Sequence, residues 1–302
     1  MCYKINALIL YNPYSGRGFN LCLEEVIEEL KSYGFSDVSV FYPNYKGEIR
    51  AYLNLNLLRF ELLVVFGGDG TLHEVLNGIA GSPKRPKILF IPNGTANDFS
   101  SGFNLSKNYK TSFRLIKEET TKIDIIKIDN EYFIYVLGCG KFTSISYDAR
   151  FYFLKKRIGR LYYFIQAVKG LFLSSDLNLE ITIKNRKING KYFLFLILNT
   201  PRVAGFKIKN NFSVIDGKAS LYLFRKTLFP IIVLFCFLFL NIKLMVEEYV
   251  FEKINIKSRG KLILNLDGER VESSKDINIS VLKEEIEFYL PLNSELINKK
   301  SK

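Results

Sequence analysis

Apolar and polar positions change period repeatedly along this chain. Ile5 to Tyr11 is a short apolar run that passes into Asn12-Pro13-Tyr14-Ser15-Gly16-Arg17-Gly18, after which Leu21, Leu23, Val26, Ile27 and Leu30 recur at helical spacing. Gly34 closes that helix, Val38 to Tyr42 makes a second strand, and a weaker helix follows around Glu48 to Leu58. The next unit is the sharpest. Leu62 to Phe66 reads as a buried strand ending at Gly67-Gly68, and Leu72, Val75, Leu76 and Ile79 then share one helix face. Ile88 to Ile91 is a further strand, ending in Pro92-Asn93-Gly94-Thr95-Ala96-Asn97-Asp98-Phe99. Strand, polar turn and helix in repetition predict an open parallel α/β sheet. Its three turns should share the sheet edge at which α/β folds bind ligands.

From about Thr121 the texture becomes strand after strand: Lys122 to Ile128, Tyr132 to Leu137, Leu179 to Ile183, Tyr192 to Leu198, Ala219 to Phe224, Leu262 to Leu266, Ile277 to Val281 and Ile286 to Leu290. Asn189-Gly190 and Asp216-Gly217 read as the turns between them, so an antiparallel β domain is expected. An aromatic-rich helix, Leu154 to Leu173, interrupts it, with Lys155, Lys156, Arg157 and Arg160 at its start. Cations there oppose the helix dipole, which leaves a solvated charged face or an anionic partner as their explanation. The resulting division is 1–120, 121–297 and a polar tail, 298–302, with a return of strands near 291–297 to the first domain allowed.

Leu228 to Leu240, LFPIIVLFCFLFL, is thirteen residues without a charge. Roughly 20 are needed to span a bilayer, so the segment is either a core helix or one lying at a membrane interface. The N-terminal apolar run is too short for a secretion signal and reads as the first strand.

At 302 residues the chain suits two domains, and 48% hydrophobic residues exclude wholesale disorder. The net charge of +13 calls for a polyanionic partner; nucleic acid, anionic membrane and nucleotide all satisfy it. Cys2, Cys22, Cys139 and Cys236 lack metal-ligand spacing, and there is a single histidine, so they read as reduced core residues.

The chemistry should lie at the Gly67 to Thr71 turn. Amides opening a helix favour phosphate, and Gly67, Gly68 and Gly70 would let a ligand approach the main chain. Asp69 is the odd member: a carboxylate repels an anion unless a divalent cation or a ribose hydroxyl lies between them. A metal-nucleotide and a plain Asp-Gly turn both remain open on these residues alone.

Asn12-Pro13-x-Ser15-Gly16, Gly67-Gly68-Asp69-Gly70-Thr71, Gly94-Thr95-x-Asn97-Asp98-Phe99 and Asp267-Gly268-Glu269 occur in that order across nearly the whole chain. Together they resemble the diacylglycerol kinase catalytic-domain family, to which bacterial lipid kinases and sphingosine kinases belong. The glycine turn by itself also occurs in NAD kinases. The resemblance implies a nucleotide-binding α/β domain followed by a β-sandwich domain that takes a lipid acceptor. It implies ATP held by Asn12, Pro13, Ser15, Gly16, the Gly67 to Thr71 loop, Glu74, Gly94, Thr95 and Asn97, and Mg2+ near Asp69, Asp98 and Asp124, with Asp216 as a further metal residue. Asp267 would accept the proton, with Glu269 beside it and Asp69 contributing to catalysis. His73, where the family often carries Asn, is expected to be an exposed helical residue. Pro43-Asn44 stand in place of a threonine pair, and Val203-Ala204-Gly205-Phe206 in place of a glycine-rich turn.

Phosphoryl transfer needs positioning, charge neutralisation and a proton acceptor, which these residue types supply. A lipid acceptor would also give the basic helix start and the Leu228 to Leu240 run a use. The expectation is therefore an ATP- and Mg2+-dependent lipid kinase, with diacylglycerol as the leading acceptor and sphingoid base or ceramide, phosphatidylglycerol and polyprenol behind it. An NAD kinase-like enzyme and a non-catalytic nucleotide- or membrane-binding module are the other classes. The expected place is the cytoplasm, at the inner face of an anionic membrane and away from nucleic acid; a homodimer is compatible with this.

Overall fold

A computed structural model of the protein describes residues 6–13, 15, 21–94, 97–140, 176–203, 206–208, 213–291, 294 and 296. The chain forms two compact units, residues 1–124 with 284–302, and residues 125–283.

The first unit is built on β1 (Asn6–Tyr11), β2 (Asp37–Phe41), β3 (Leu62–Gly67) and β4 (Lys87–Pro92), all parallel, in the order β4-β3-β1-β2. Helices α1 (Leu23–Ser32), α2 (Glu48–Asn56), α3 (Asp69–Ile79), α4 (Asp98–Phe103) and α5 (Tyr109–Phe113) alternate with them. Every residue of β3 is buried, which is why the strand reads as an unbroken apolar run: helices cover both faces. One face carries Ala7, Ile9, Val64, Phe66, Leu89 and Ile91, packed with Val26 and Leu30 of α1 and Phe113 of α5. Glu24 and Glu25 in the first turn of α1 and Lys31 in its last complement the helix dipole.

The second unit is antiparallel. Its strands are β5 (Thr121–Ile128, shared with the first unit), β6 (Glu131–Phe133), β7 (Val136–Gly140), β8 (Leu177–Ile183), β9 (Arg186–Leu198), the short pair β10 (Arg202–Val203) and β11 (Phe206–Lys207), and β12 (Ala219–Arg225). Helix α6 (Pro230–Phe235) follows, then β13 (Val246–Phe251), β14 (Lys253–Ser258), β15 (Ile263–Leu266), β16 (Glu269–Glu272) and β17 (Asp276–Phe288). β9 changes neighbours along its length: Arg186 to Tyr192 pair with β8, and Leu194 to Leu198 pair with β7 and β12. Inward residues of these strands, among them Leu137, Ile181, Phe195, Leu221, Ile256, Leu264 and Ile279, make one core.

Several expected details differ. Asn189-Gly190 is no turn: both residues pair within β9, opposite Glu180 and Leu179, and the chain reverses at Lys184-Asn185, where Lys184 adopts φ 53°. The observed register keeps Ile188 opposite Ile181, which a turn at Asn189-Gly190 would prevent. Tyr132 to Leu137 is broken into β6 and β7, and the last two expected strands are one, β17, carrying Glu284 at φ 49°. β13, β14 and β16 were not expected, although Ile254 and Ile256 alternating with Lys253, Asn255 and Lys257 carry a strand signal.

Within Leu228 to Leu240, the helical part is α6 from Pro230, followed by a π-turn over Cys236–Leu240. Among the described residues no helix is long and apolar enough to cross a membrane. The Leu154–Leu173 helix with its four cations, Ala204-Gly205 and the tail 298–302 lie outside the described residues. Cys139 is buried, whereas Cys22, expected in the core, is exposed just before α1, at a helix entrance that faces solvent.

After Glu284 the chain belongs to the first unit. Phe288 joins β4 in parallel opposite Ile88, and its ring lies 5.3 Å from that of Phe99, which also meets Phe103 at 4.8 Å and Phe90 at 6.1 Å. Full burial of such a ring is worth about 1.5–3 kcal/mol. The Asp124 carboxylate, itself fully buried, accepts the Glu284 N–H at 2.8 Å.

Candidate active site

Because β1, β3 and β4 are adjacent and parallel, the turns that follow them meet at one sheet edge. They are bonded to one another. The Asn12 N–H donates to the Phe66 carbonyl at 3.1 Å, and the Asn93 N–H donates to the Gly67 carbonyl at 2.7 Å. Side chains repeat the connection: Asn12 Nδ2 donates to Thr71 Oγ1 at 2.9 Å, and Asn93 Nδ2 donates to the Ser15 carbonyl at 3.1 Å. Ser15 Oγ in turn donates to the Asn12 carbonyl at 3.1 Å.

Glycine is required where two of these turns touch. A Cβ on Gly68 would sit 2.9 Å from Gly94 Cα, and one on Gly94 would sit 2.7 Å from Gly68 Cα, so any side chain would drive the turns apart. Helix α3 starts here with Gly68 before it and Asp69 as its first residue. Its first-turn amides have no acceptor within their own helix and favour an anion. Asp69 Oδ2 accepts the Asp98 N–H at 3.3 Å, which ties the start of α3 to the start of α4. Asp98 and Asn97 are both buried, and Asn97 holds φ 51° while its Nδ2 donates to the Gly94 carbonyl at 2.6 Å. Glu74, one turn further along α3, accepts the Gly47 N–H at 2.9 Å and so fixes the loop entering α2. Gly16 and Thr95 lie outside the described residues.

In the second unit, Asp267 and Gly268 form the two-residue turn between β15 and β16, at φ 51° and 97°, with Leu266 paired to Glu269. The Asp267 side chain turns back into the unit, where only 2% of the residue is exposed. Its Oδ2 accepts the Ile134 N–H at 2.7 Å, and its Oδ1 accepts the N–H groups of Tyr135 at 3.0 Å and Val136 at 2.9 Å. These occupy three of the roughly four acceptor positions of a carboxylate. Glu269 lies at the start of β16, partly exposed. Asp216 is exposed and accepts the Lys218 N–H at 3.0 Å, the bond of a turn residue. Among the described residues no three His, Cys, Asp or Glu side chains gather as a metal cluster.

A model of the diacylglycerol kinase catalytic domain matches residues 6–128. A diacylglycerol kinase of Staphylococcus carnosus (strain TM300) is 33% identical over 302 residues, covering 96% of this chain and 98% of its own. The chain belongs to the diacylglycerol kinase family. One of Bacillus subtilis (strain 168) is 29% identical over 272 residues, covering 87% and 89%. A solved diacylglycerol kinase structure from Bacillus anthracis str. Sterne has the same fold, with a TM-score of 0.72 at 20% identity over 96% of this chain and 98% of that one. Another solved chain from that organism gives a TM-score of 0.79 at 22% identity, with the same coverage.

As a diacylglycerol kinase family member the protein is a lipid kinase. Within this family frame, His73 corrects an expectation: it is buried, not exposed, because α3 is enclosed, and its Nε2 lies 3.3 Å from Asn77 Nδ2 one turn away. Three further residues carry roles that the sequence did not assign to them. Asn93 bridges two turns, and its place directly after a buried strand was the available signal. Phe99 anchors the Asn97-Asp98 turn through its rings. Asn199, a buried amide ending the apolar β9, donates to the Ile134 carbonyl at 3.0 Å and so supports the segment that Asp267 grips. Burial pushes the Cys139 thiol up to about 12, which leaves it protonated and excludes it as a nucleophile at neutral pH.

Proposed function

We propose that the chain transfers the γ-phosphoryl group of ATP to the free hydroxyl of diacylglycerol, giving phosphatidic acid and ADP. The observation that carries the nucleotide part is the contact of the Gly68 and Gly94 turns beside the opening of α3, which puts two residues without side chains next to first-turn amides that favour an anion. The acceptor is taken from the relatives, which are named diacylglycerol kinases.

Asn12, Ser15, Gly67, Gly68, Gly70, Thr71, Gly94 and Asn97 serve the nucleotide, with Glu74 holding the adjoining loop in place. Asp69, Asp98 and Asp124 offer hard oxygen donors of the kind Mg2+ takes. Mg2+, when bound, neutralises phosphate charge and orients the transferring group. The acceptor oxygen forms the new bond to phosphorus, the bond to the ADP oxygen breaks, and the hydroxyl proton passes to Asp267 or to Glu269 beside it. Three amide donors fix the position of Asp267, and Glu269 beside it is partly exposed. Asp216, whose Oδ1 accepts the Lys218 N–H of its own turn, takes no part in the transfer itself and remains a further candidate for metal. In this reading the protein works at the inner face of a membrane, where its lipid acceptor would be met.

The test is incubation of the purified protein with labelled ATP and Mg2+ against diacylglycerol, ceramide, a sphingoid base, phosphatidylglycerol and a polyprenol in mixed micelles, with NAD as a non-lipid arm. Labelled phosphatidic acid as the main product is expected. Label confined to another acceptor would overturn the choice of diacylglycerol, and label in NAD alone would overturn the lipid acceptor.

A further inference from the structure

From Leu228 to Ile242 the chain has no charged side chain, and Asn241 is its one amide. Arg225 and Lys226 precede this stretch and Lys243 follows it. Only one side of the stretch is used for folding. Val233, Leu234 and Phe237 are buried, and the Phe237 ring meets Tyr222 and Phe224 edge-on at 5.2 and 4.9 Å. The opposite side faces out: Leu228 is 90% exposed, Phe229 63%, Ile232 54% and Leu240 54%. Among the described residues, nine of the fifteen exposed large hydrophobic ones fall between 228 and 245.

An apolar patch this concentrated marks an interaction surface. Its chemistry selects the partner. Protein interfaces carry about one hydrogen bond per 100–200 Å2, and an outer face with one amide in fifteen residues cannot supply that density. A hydrocarbon phase asks for no hydrogen bonds at all. The cations bracketing the stretch are the chemistry that headgroup phosphates attract, and the chain's net charge of +13 favours an anionic surface. Arg225, Lys226 and Lys243 pair with Glu247, Asp176 and Glu248 at sites where the basic partners are substantially exposed, so these pairs are weak and can exchange for lipid phosphate.

We propose that residues 228–245 are a membrane wedge. The exposed face of α6 and the turn after it insert among the headgroups and upper acyl chains of an anionic phospholipid bilayer, without crossing it, while Arg225, Lys226 and Lys243 hold the headgroups. The proposal rests on the reading that the acceptor is a membrane lipid, but binding is measured without ATP and stands or falls apart from turnover.

The test compares the full chain with the double variant Ile232→Asp/Leu240→Asp, altered only on the outer face, in sedimentation with phosphatidylglycerol-containing vesicles. A loss of vesicle affinity of at least about tenfold is expected, with phosphorylation of a short-chain, monomerically dissolved diacylglycerol unchanged. Unchanged vesicle affinity overturns the proposal. So does a wild-type dimer that the variant splits and that has no vesicle affinity, which would make a second copy the occupant. If vesicle affinity falls in the variant although neither protein phosphorylates any lipid, the wedge stands and the acceptor reading fails. The chain lacks tryptophan, so Phe229→Trp gives a single reporter. Its emission should shift to the blue on vesicles and be quenched by brominated acyl chains; unshifted emission from sedimented protein overturns insertion.

Discussion

Asp267 and Val136 are joined twice: the Asp267 N–H donates to the Val136 carbonyl at 2.9 Å, and Asp267 Oδ1 accepts the Val136 N–H at 2.9 Å. The carboxylate thus fastens the β15–β16 turn to the start of β7 and acts as an anchor whatever else it does. In Asp267→Asn one oxygen becomes an NH2 that faces an N–H donor, a loss of about 1–3 kcal/mol. The melting temperature should fall by several degrees. ATP affinity, measured calorimetrically, should stay near wild type because the glycine turns belong to the other unit, while turnover falls at least about a hundredfold. A variant that melts lower yet keeps its turnover would leave Asp267 with the anchoring role alone. Glu269→Gln provides the contrast: lower turnover with little change in melting.

Asp69→Asn should behave differently. The amide oxygen can still accept the Asp98 N–H, so the link between α3 and α4 survives and the melting temperature should hold within about 2 °C. The negative charge is lost, and with it the bridge to the cation. Turnover should drop at least about a hundredfold, with partial recovery at raised Mg2+ concentration. Near-normal turnover in a well-folded variant would return Asp69 to the status of a turn residue.

Gly94→Ala places a methyl group 2.7 Å from Gly68 Cα, which is backbone, and 2.8 Å from Oδ1 of Asn97, whose amide is tied to the Gly94 carbonyl through Nδ2. The two turns must separate. An affinity loss for ATP of at least about tenfold is expected in calorimetry, larger than any change in turnover at saturating ATP. Equal affinity would mean that the turns tolerate separation and that phosphate is bound elsewhere.

Cys139 provides a pH readout. Its thiol ionises near an ordinary 9.0 when unfolded but is pushed up to about 12 by burial in the folded chain, so between these values only the unfolded state releases the proton. Stability is therefore undiminished by this group below 9.0 and falls by about 1.4 kcal/mol per pH unit above it. Denaturant titrations between about pH 9.5 and 10.5 should give a slope shallower by that amount in Cys139→Ser. In native-state alkylation with peptide mapping, Cys22 should react quickly and Cys139 only after unfolding.

The first unit was legible because its signals are local. A buried parallel strand is continuous in its apolar residues, as in Leu62 to Phe66, and the polar turn after it marks both the strand end and the edge that binds. Side-chain targets were not legible in this way. Nothing near Asp267 in the chain announces that its carboxylate is spent on amides more than 130 residues away, and nothing near Asn93 announces the Ser15 carbonyl. The misplaced turn has the same origin. Asn189-Gly190 has the stronger local turn chemistry, but the pairing of Ile181 with Ile188, a property of two strands together, decides where the chain reverses. His73 read as exposed because its helix was judged by one apolar stripe, whereas α3 is buried nearly all round.

The return of the chain at Glu284 bears on how the protein is made. β4 is synthesised early, but the residue that pairs beyond it, Phe288, and the N–H that satisfies the buried Asp124 carboxylate are separated from their partners by 160 residues or more. At about 5–20 residues per second, that gap keeps the emerging nucleotide unit incomplete for on the order of ten seconds. Throughout that interval the edge of β4 lacks Phe288 and the ring of Phe99 lacks one of its three aromatic neighbours, so the nascent chain is the form in which this edge is open to other strands.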